Sequence, residues 1–263
     1  MTPPRQAEAR HLLEVVRTLA VPIRTERSIK LTPGALLADR FLVSLSVPDL
    51  GHGTSLEQAA VALRLAPAGW MALADRMPDA DAVHLGYERG REGCVYKLYL
   101  EFSGAARRAF NGTCEPVLVH RAVKWDPANP PTFSIADYRW PGARSAPAIA
   151  ARIAGMFPDA PGGPAATLGR GILGDLAGLP APMLLEVGEA GNPRRSFDLN
   201  LYESGLTVGS CAARLAEAAA ALAVAREASA AFPSLALAKL GHIAGGIGRD
   251  GRDFVTVYYG GTP

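Results

Sequence analysis

Short runs of alternating polar and apolar residues recur along the chain and pair across turn signals. Runs of this kind, enriched in β-branched and aromatic residues, predict β-strands. The clearest lie at residues 40–47, 95–102, 132–138, 196–202 and 254–259. Upstream partners lie at residues 27–31, 83–88, 117–125, 183–188 and 242–245. The pattern therefore predicts ten antiparallel strands arranged as five hairpins.

Segments with helical spacing of apolar residues fill the gaps between the hairpins. They lie at residues 5–20, 55–77, 146–157, 166–179 and 211–240, and the last is expected to break near Pro233. Ser145 precedes the third segment as a candidate N-cap. Helix and hairpin thus alternate five times, an internal repeat of roughly 45 to 55 residues.

Closing such a sheet on itself removes its two edges, so a barrel is expected. On residues 95–102 one face carries Lys97, Tyr99 and Glu101, whereas the other is apolar. Because the helices need an apolar surface to pack on, the apolar face should point outward and the polar face should line a lumen. The predicted class is α+β: a ten-stranded antiparallel β-barrel surrounded by α-helices and built from repeated αββα units.

Four strand-like runs end in a tyrosine at an equivalent position, and these are Tyr99, Tyr138, Tyr202 and Tyr258. A ring of aromatic faces around one space suits a cation, although simple structural repetition would give the same pattern. Lys97 is one of four lysines among 27 basic residues, so its mid-strand place suggests a role. A solvent-facing lysine on an edge strand is the alternative.

Composition restricts the class of protein. With 263 residues, of which 49% are hydrophobic, the chain is expected to form a single domain over residues 1–263. The net charge of +2 indicates neither a nucleic-acid nor a membrane partner. Three cysteines without CxxC spacing argue against a disulfide framework or zinc site. No apolar run is long enough to span a membrane, and we expect a cytoplasmic monomer.

Two other motifs are expected to be ordinary. Residues 246–251 match GxGxxG, but a strand follows where a dinucleotide site needs a helix, so a hairpin turn is expected. The histidines are dispersed and show no ligand pair at helical or strand spacing, so no protein metal site is expected. They are His11, His52, His84, His120 and His242.

Taken together, the repeated units and several short segments resemble the ABBA-type prenyltransferases. The resemblance is greatest to the branch that modifies cyanobactin-type peptides. It rests on the repeated hairpins with lysine-x-tyrosine and on residues 38–43 (ADRFLV), 95–99 (VYKLY), 106–110 (ARRAF) and 255–259 (VTVYY).

This resemblance implies a PT barrel that moves a dimethylallyl or geranyl group from its diphosphate to a peptide side chain. Arg40 and Lys97 would grip the diphosphate, with Mg²⁺ bound through it. Asn200 and Thr256 are assigned to the same group, because each stands two residues before a tyrosine as Lys97 does. The shield around the prenyl group would consist of Tyr99, Tyr138, Tyr202 and Tyr258.

The resemblance also implies a base for the acceptor, which Glu26 matches and Glu101 matches less well. Ala136 stands where related indole enzymes carry another lysine. The diphosphate grip would then be thinner, or it would draw on Lys124, Arg121 or Arg252.

Two alternatives stay open. An aromatic small molecule, indole or phenol, could be the acceptor, or the barrel could bind a ligand without catalysis. Because only residues 260–263 follow the last strand, one mouth is expected to stay open, which favours a peptide.

Overall fold

The computed structural model describes residues 7–50, 54–91, 93–112, 115–157 and 163–261. Its strands are β1 (Arg24–Thr32), β2 (Ala35–Leu37), β3 (Arg40–Ser46), β4 (Ala82–Arg89), β5 (Cys94–Glu101), β6 (Val117–Trp125), β7 (Phe133–Trp140), β8 (Met183–Glu189), β9 (Arg195–Asn200), β10 (Leu240–Ile247) and β11 (Asp253–Tyr259). Its helices are α1 (Ala7–Thr18), α2 (Thr54–Ala62), α3 (Pro67–Ala74), α4 (Ser103–Gly112), α5 (Ala146–Met156), α6 (Pro164–Asp175), α7 (Ala212–Ala221) and α8 (Ala225–Ala231).

Ten of the strands form a closed antiparallel barrel. Each strand pairs with its neighbour in chain order, and β11 pairs with β1 through a register in which Tyr258 lies opposite Ser28. The short β2 pairs only with the C-terminal end of β1, at residues 30–32. Each hairpin is preceded by one or two helices, so the predicted repeat and barrel are confirmed.

The apolar face of each strand packs outward against the helices. On β5, Tyr96, Leu98 and Leu100 are buried outside the barrel, and the Tyr96 hydroxyl donates to the carbonyl of Glu8 in α1 at 2.7 Å. On the other side, Phe197 and Leu199 of β9 lie in a cluster with α5 to α8. The hydrophobic core therefore lies between the sheet and the surrounding helices. The polar face of each strand lines the lumen.

Local signals explain the start of α5 and the end of α7. Ser145 accepts a hydrogen bond from the backbone N–H of Ala148 at 3.4 Å, which makes it the N-cap of α5 as predicted. The alanine-rich segment breaks near Pro233 as predicted, since α8 ends at Ala231 and a 3-10 helix follows at Phe232–Leu235. An additional break lies between α7 and α8, where Ala223 has φ +55°. It forms because Val224 N–H bonds back to the carbonyl of Ala219 and so ends α7.

Two further expectations concern membranes and cysteines. None of the helices in the described ranges is long and apolar enough to cross a bilayer. Cys94 and Cys211 are free thiols, and Cys114 lies outside the described residues.

Candidate active site in the barrel lumen

The lumen has two chemically different ends. One, called here the cation end, is formed by Lys30, Arg40, Lys97, Lys124 and Arg194. The other, the histidine end, carries Glu26, His84, Glu101, His120 and His242. Glu26 and Lys30 are four residues apart on β1, so the two ends are separated by about 13 Å along the strand.

A cavity of about 280 Å³ opens at the cation end. Its lining contains seven Lys or Arg residues and four Asp or Glu residues, which gives an excess of positive charge. Lys30 lies over the Phe254 ring at 4.5 Å, and burial, with help from the neighbouring Arg40 charge, lowers its pKa to about 7. A cavity with this charge is suited to a compact, multiply charged anion.

Glu88 of β4 links the two cations that the sequence singled out. Its carboxylate accepts hydrogen bonds from both Arg40 and Lys97, whose side chains are buried. Burial first, and then the charge of Arg40, lower the pKa of Lys97 well below its usual value. A carboxylate of the protein itself therefore lies between these two cations.

Glu189 of β8 pairs with a second set of cations. Its fully buried carboxylate accepts from Lys124 at 2.7 Å, Arg194 at 2.6 Å and Arg249 at 2.5 Å. Burial would raise the pKa of Glu189, but these cations, Lys124 first, lower it below its usual value. Lys124 and Arg252, two of the three cations named as possible additions to the diphosphate grip, both line the cavity.

Three of the four tyrosines meet next to these cations. The Tyr99 and Tyr138 rings are 5.7 Å apart, and their hydroxyl oxygens are 3.5 Å apart. Lys124 lies 5.8 Å from the Tyr138 ring centroid, and Tyr258 lines the same cavity with its ring 5.8 Å from that of His242. Aromatic faces and cations therefore share one space in the middle of the lumen.

Tyr202 lies elsewhere. Strand β9 ends at Asn200, and the following 3-10 turn carries Tyr202 to the histidine end, where its hydroxyl donates to Glu26. A Cβ at Gly241 or Gly261 would collide with this pair, so both glycines are needed for its close packing. Glu26 is 7% exposed, and burial raises the pKa of its carboxyl.

The histidine end contains two further clusters of polar side chains. His242 pairs with Asp198 at 2.7 Å, and although burial lowers the pKa of the imidazole, Asp198 raises it to about 9. His84 contacts Glu101 at 2.9 Å. Burial would raise the pKa of Glu101, but this hydrogen bond, together with the charges of the neighbouring histidines, lowers it to about 2. His120 lies beside them, and burial lowers its pKa to about 4.

Several sequence predictions need correction. Tyr202 is not part of the tyrosine group around the cavity. Asn200 does not line the cavity either, because its side chain accepts from the backbone of Tyr202. Arg121 points outside the barrel and pairs with Asp137 at 2.8 Å. Arg40, Lys97 and Thr256 do line the cavity.

The sequence missed Glu88, Glu189 and Arg194. The alternation on β4 and β8 indicates at most that Glu88 and Glu189 point into the barrel. Arg194 lies beside a hairpin turn, which indicates no more than that. Nothing in the sequence shows that they pair with Arg40 or Lys124 across the lumen. The histidines, dispersed in sequence, are also brought together by barrel closure.

Comparison with known proteins bears on the fold. No protein-family model matches the chain, and no curated protein matches it by sequence. Among solved structures, PriB in its binary complex with product diphosphate has a TM-score of 0.61 at 18% identity, covering 98% of this chain and 90% of PriB. The 5-dimethylallyltryptophan synthase of Streptomyces coelicolor, in complex with DMASPP and Trp, has a TM-score of 0.61 at 17% identity, covering 97% and 89%.

This chain has the prenyltransferase barrel fold. AnaPT from Neosartorya fischeri is a more distant example, with a TM-score of 0.53 at 13% identity over 90% of this chain and 78% of AnaPT. These structural neighbours are ABBA-type prenyltransferases. The nearer resemblance to cyanobactin-type enzymes rests on the short sequence segments alone.

Proposed function

We propose that this PT-barrel protein is a prenyltransferase that moves an allylic isoprenoid group, dimethylallyl or geranyl, from its diphosphate to a nucleophilic acceptor. The observation that carries the proposal is the order of groups along the lumen. An anion cavity, three tyrosines and a buried glutamate follow one another within a barrel of this fold.

Donor binding is assigned to the cation end. The diphosphate would displace Glu88 from Arg40 and Lys97, which then take up its charge. Thr256, 2% exposed, adds a hydroxyl beside them. As the C–O bond of the donor breaks, charge grows on the leaving diphosphate, and preorganised cations stabilise that charge.

The prenyl group would then lie between Tyr99, Tyr138 and Tyr258. Each aromatic face contributes on the order of 0.5 to 2 kcal/mol to a desolvated cation, and the contributions are not additive. The rings also exclude water, which would otherwise quench the allylic cation. The tyrosines therefore favour transfer to the acceptor over hydrolysis.

Glu26 is the proposed base. The acceptor attacks the allylic carbon, a new bond to that carbon forms, and the proton that the acceptor loses passes to the Glu26 carboxylate. Because burial raises the pKa of Glu26, the group is a better base than an exposed glutamate. Tyr202 donates to the same carboxylate and fixes its orientation.

Two acceptor classes are compatible with this site. An indole or phenol is supported by the likeness to the Streptomyces coelicolor enzyme, whose structure contains Trp. A peptide side chain is supported by the sequence segments that resemble the cyanobactin branch. The site itself, with Glu26 and Asp198 close to His242, requires only an acceptor that loses a proton.

Incubation with donor and a panel of acceptors tests the proposal. The panel contains free tryptophan, free tyrosine, a polyphenol, and linear and cyclic peptides, and mass spectrometry detects the gain of one isoprene unit. Product from free aromatics alone selects the small-molecule function, and product from peptides alone selects the peptide function. If no acceptor is prenylated and no donor binds, the proposal is wrong.

Variants distinguish the non-catalytic alternative. A barrel that only binds an amphipathic ligand predicts that Lys97→Ala and Glu26→Gln leave ligand affinity nearly unchanged. Prenyl transfer instead predicts weaker donor binding for Lys97→Ala and, for Glu26→Gln, a loss of transfer rate with donor binding kept.

Removal of Mg²⁺ is expected to lower turnover without abolishing it. The ion would be held mainly through the diphosphate oxygens, because Glu88 and Glu189 already accept hydrogen bonds from cations. When bound, Mg²⁺ would take up leaving-group charge. Since seven Lys or Arg residues line the cavity, part of the rate should persist in EDTA. Measured turnover with EDTA and after Mg²⁺ addition checks this, and complete loss in EDTA would contradict it.

Replacement of Glu88 by glutamine is expected to tighten diphosphate binding about tenfold, since the cations no longer have a carboxylate to give up. Calorimetric titration with inorganic diphosphate measures the affinity. Glu186→Gln is the matched control, because Glu186 pairs with Arg152 on the barrel exterior. Unchanged or weaker binding by the Glu88 variant would show that Glu88 does not compete with the anion.

A further inference from the structure

Three potential metal ligands from neighbouring strands meet at the histidine end. His84 lies on β4, Glu101 on β5 and His120 on β6, and Glu101 is the cross-strand partner of His120. One ligand atom from each side chain lies within 4.8 Å of the other two. Because the three backbones are joined by barrel hydrogen bonds, this arrangement is held by the fold rather than by a loop.

His84 is already oriented for coordination. Its Nε2 contacts Glu101 Oε2 at 2.9 Å, while its Nδ1 is 2.8 Å from the hydroxyl oxygen of Ser44. A second hydrogen bond of this kind is typical of metal-bound histidines, since it fixes both the tautomer and the ring orientation. Glu101 is partly exposed to the lumen and can turn from His84 toward an ion.

His120 supplies an independent observation. Its Nδ1 is fully buried and has no hydrogen-bond partner among the described residues. A buried polar atom left without a partner costs free energy, so a native structure usually provides one. The rings of His84 and Tyr138 pack against His120 at 5.9 Å and 5.7 Å and hold it beside Glu101.

We infer that His84, Glu101 and His120 form a binding site for a divalent transition metal of the Zn²⁺ type. Two imidazoles and one carboxylate are a set that Zn²⁺ accepts. At metal–ligand distances of about 2.0 to 2.2 Å, tetrahedral ligand atoms lie about 3.3 Å apart. To reach that spacing, each ligand atom of the present cluster has to move by roughly 1 Å, which side-chain rotation can provide.

The site is separate from the one proposed for Mg²⁺. Magnesium prefers oxygen ligands and would be held by the donor diphosphate at the cation end. The histidine cluster offers two nitrogens and does not include Glu26, the proposed base. Three protein ligands leave one coordination position facing the lumen, which water or an acceptor atom can fill. The inference stands whether or not the protein transfers prenyl groups.

Titration of the EDTA-treated full-length protein with Zn²⁺ or Co²⁺, in the absence of donor, tests the site. We expect one equivalent to bind, with Co²⁺ giving the visible absorption of a four- or five-coordinate ion. His120→Ala and Glu101→Gln should each weaken binding at least tenfold. His11→Gln should leave it unchanged, because His11 is an exposed histidine on α1 that contacts the carbonyl of Ala62. Mg²⁺ alone should not compete.

Thermal unfolding of each variant shows that a loss of binding is not a loss of fold, and Glu101→Gln keeps the side-chain volume if His120→Ala proves unstable. Three results would overturn the inference. These are failure of the wild-type protein to bind one equivalent, retention of binding in both cluster variants, and loss of binding in His11→Gln.

Discussion

Glu26→Gln is expected to reduce prenyl transfer by roughly 10²- to 10⁴-fold while donor affinity stays near that of the wild type. Glutamine keeps the size of the side chain and can still pair with the Tyr202 hydroxyl, but it cannot take the acceptor proton. Donor affinity is preserved because Glu26 lies about 13 Å along β1 from Lys30 at the cation end. Steady-state rates and donor titration measure the two quantities separately.

The pH dependence of the prenyl-transfer rate, compared between the wild type and Glu26→Gln, gives a second test. Only ionised Glu26 can act as a base, and burial raises its pKa. The wild-type rate should therefore fall as pH decreases through a value above that of an ordinary glutamate, and the variant should lack this decline. Glu186→Gln, an exterior glutamate paired with Arg152, is the control and should behave as wild type. A Glu26→Gln enzyme of normal rate would exclude Glu26 as the base.

Lys97→Ala is expected to weaken donor binding roughly 10- to 100-fold, the cost of one charge-assisted contact to the diphosphate. Glu88 would then pair with Arg40 alone, so the cavity loses positive charge and the remaining carboxylate is less completely neutralised. Calorimetry with the donor or with inorganic diphosphate gives the affinity.

Arg121→Ala is the matched control for Lys97→Ala, since it removes a cation from the adjacent strand that points outside the barrel. Burial lowers the pKa of Lys97, so wild-type donor affinity should also decline as pH rises through that lowered pKa, where the ammonium loses its charge. Equal affinities for the wild type and the Lys97 variant, over the whole pH range, would remove Lys97 from the donor site.

The barrel was predictable because its signals are local and repeated. Alternation on residues 95–102 assigns Lys97 and Tyr99 to one face, and the helices on either side require the other face for packing. The N-cap at Ser145 follows from a single hydroxyl before an apolar segment. These inferences need no knowledge of which strands meet across the lumen.

The site could be predicted only in part, because its chemistry depends on contacts between distant strands. Arg40 and Lys97 were found by type and spacing, but their common partner Glu88 was not. Tyr202 was misplaced because β9 ends at Asn200, and the turn that follows, with Gly205 at φ +72°, interrupts the alternation. His84 and His120 lie 36 positions apart in the sequence and approach only because β4 and β6 flank the same strand.

Barrel closure depends on the pairing of β1 with β11, in which Arg27 lies opposite Tyr259. Glu26 therefore lies on the first strand of the barrel in chain order, whereas Thr256 and Tyr258 lie on the last. The repeats of a solenoid can fold one after another. Here the site needs residues from both the first and the last strand, so a part of the barrel cannot form it. Contacts of such high sequence separation also predict slow folding, with a long-lived open sheet whose two edges need protection until β1 and β11 pair.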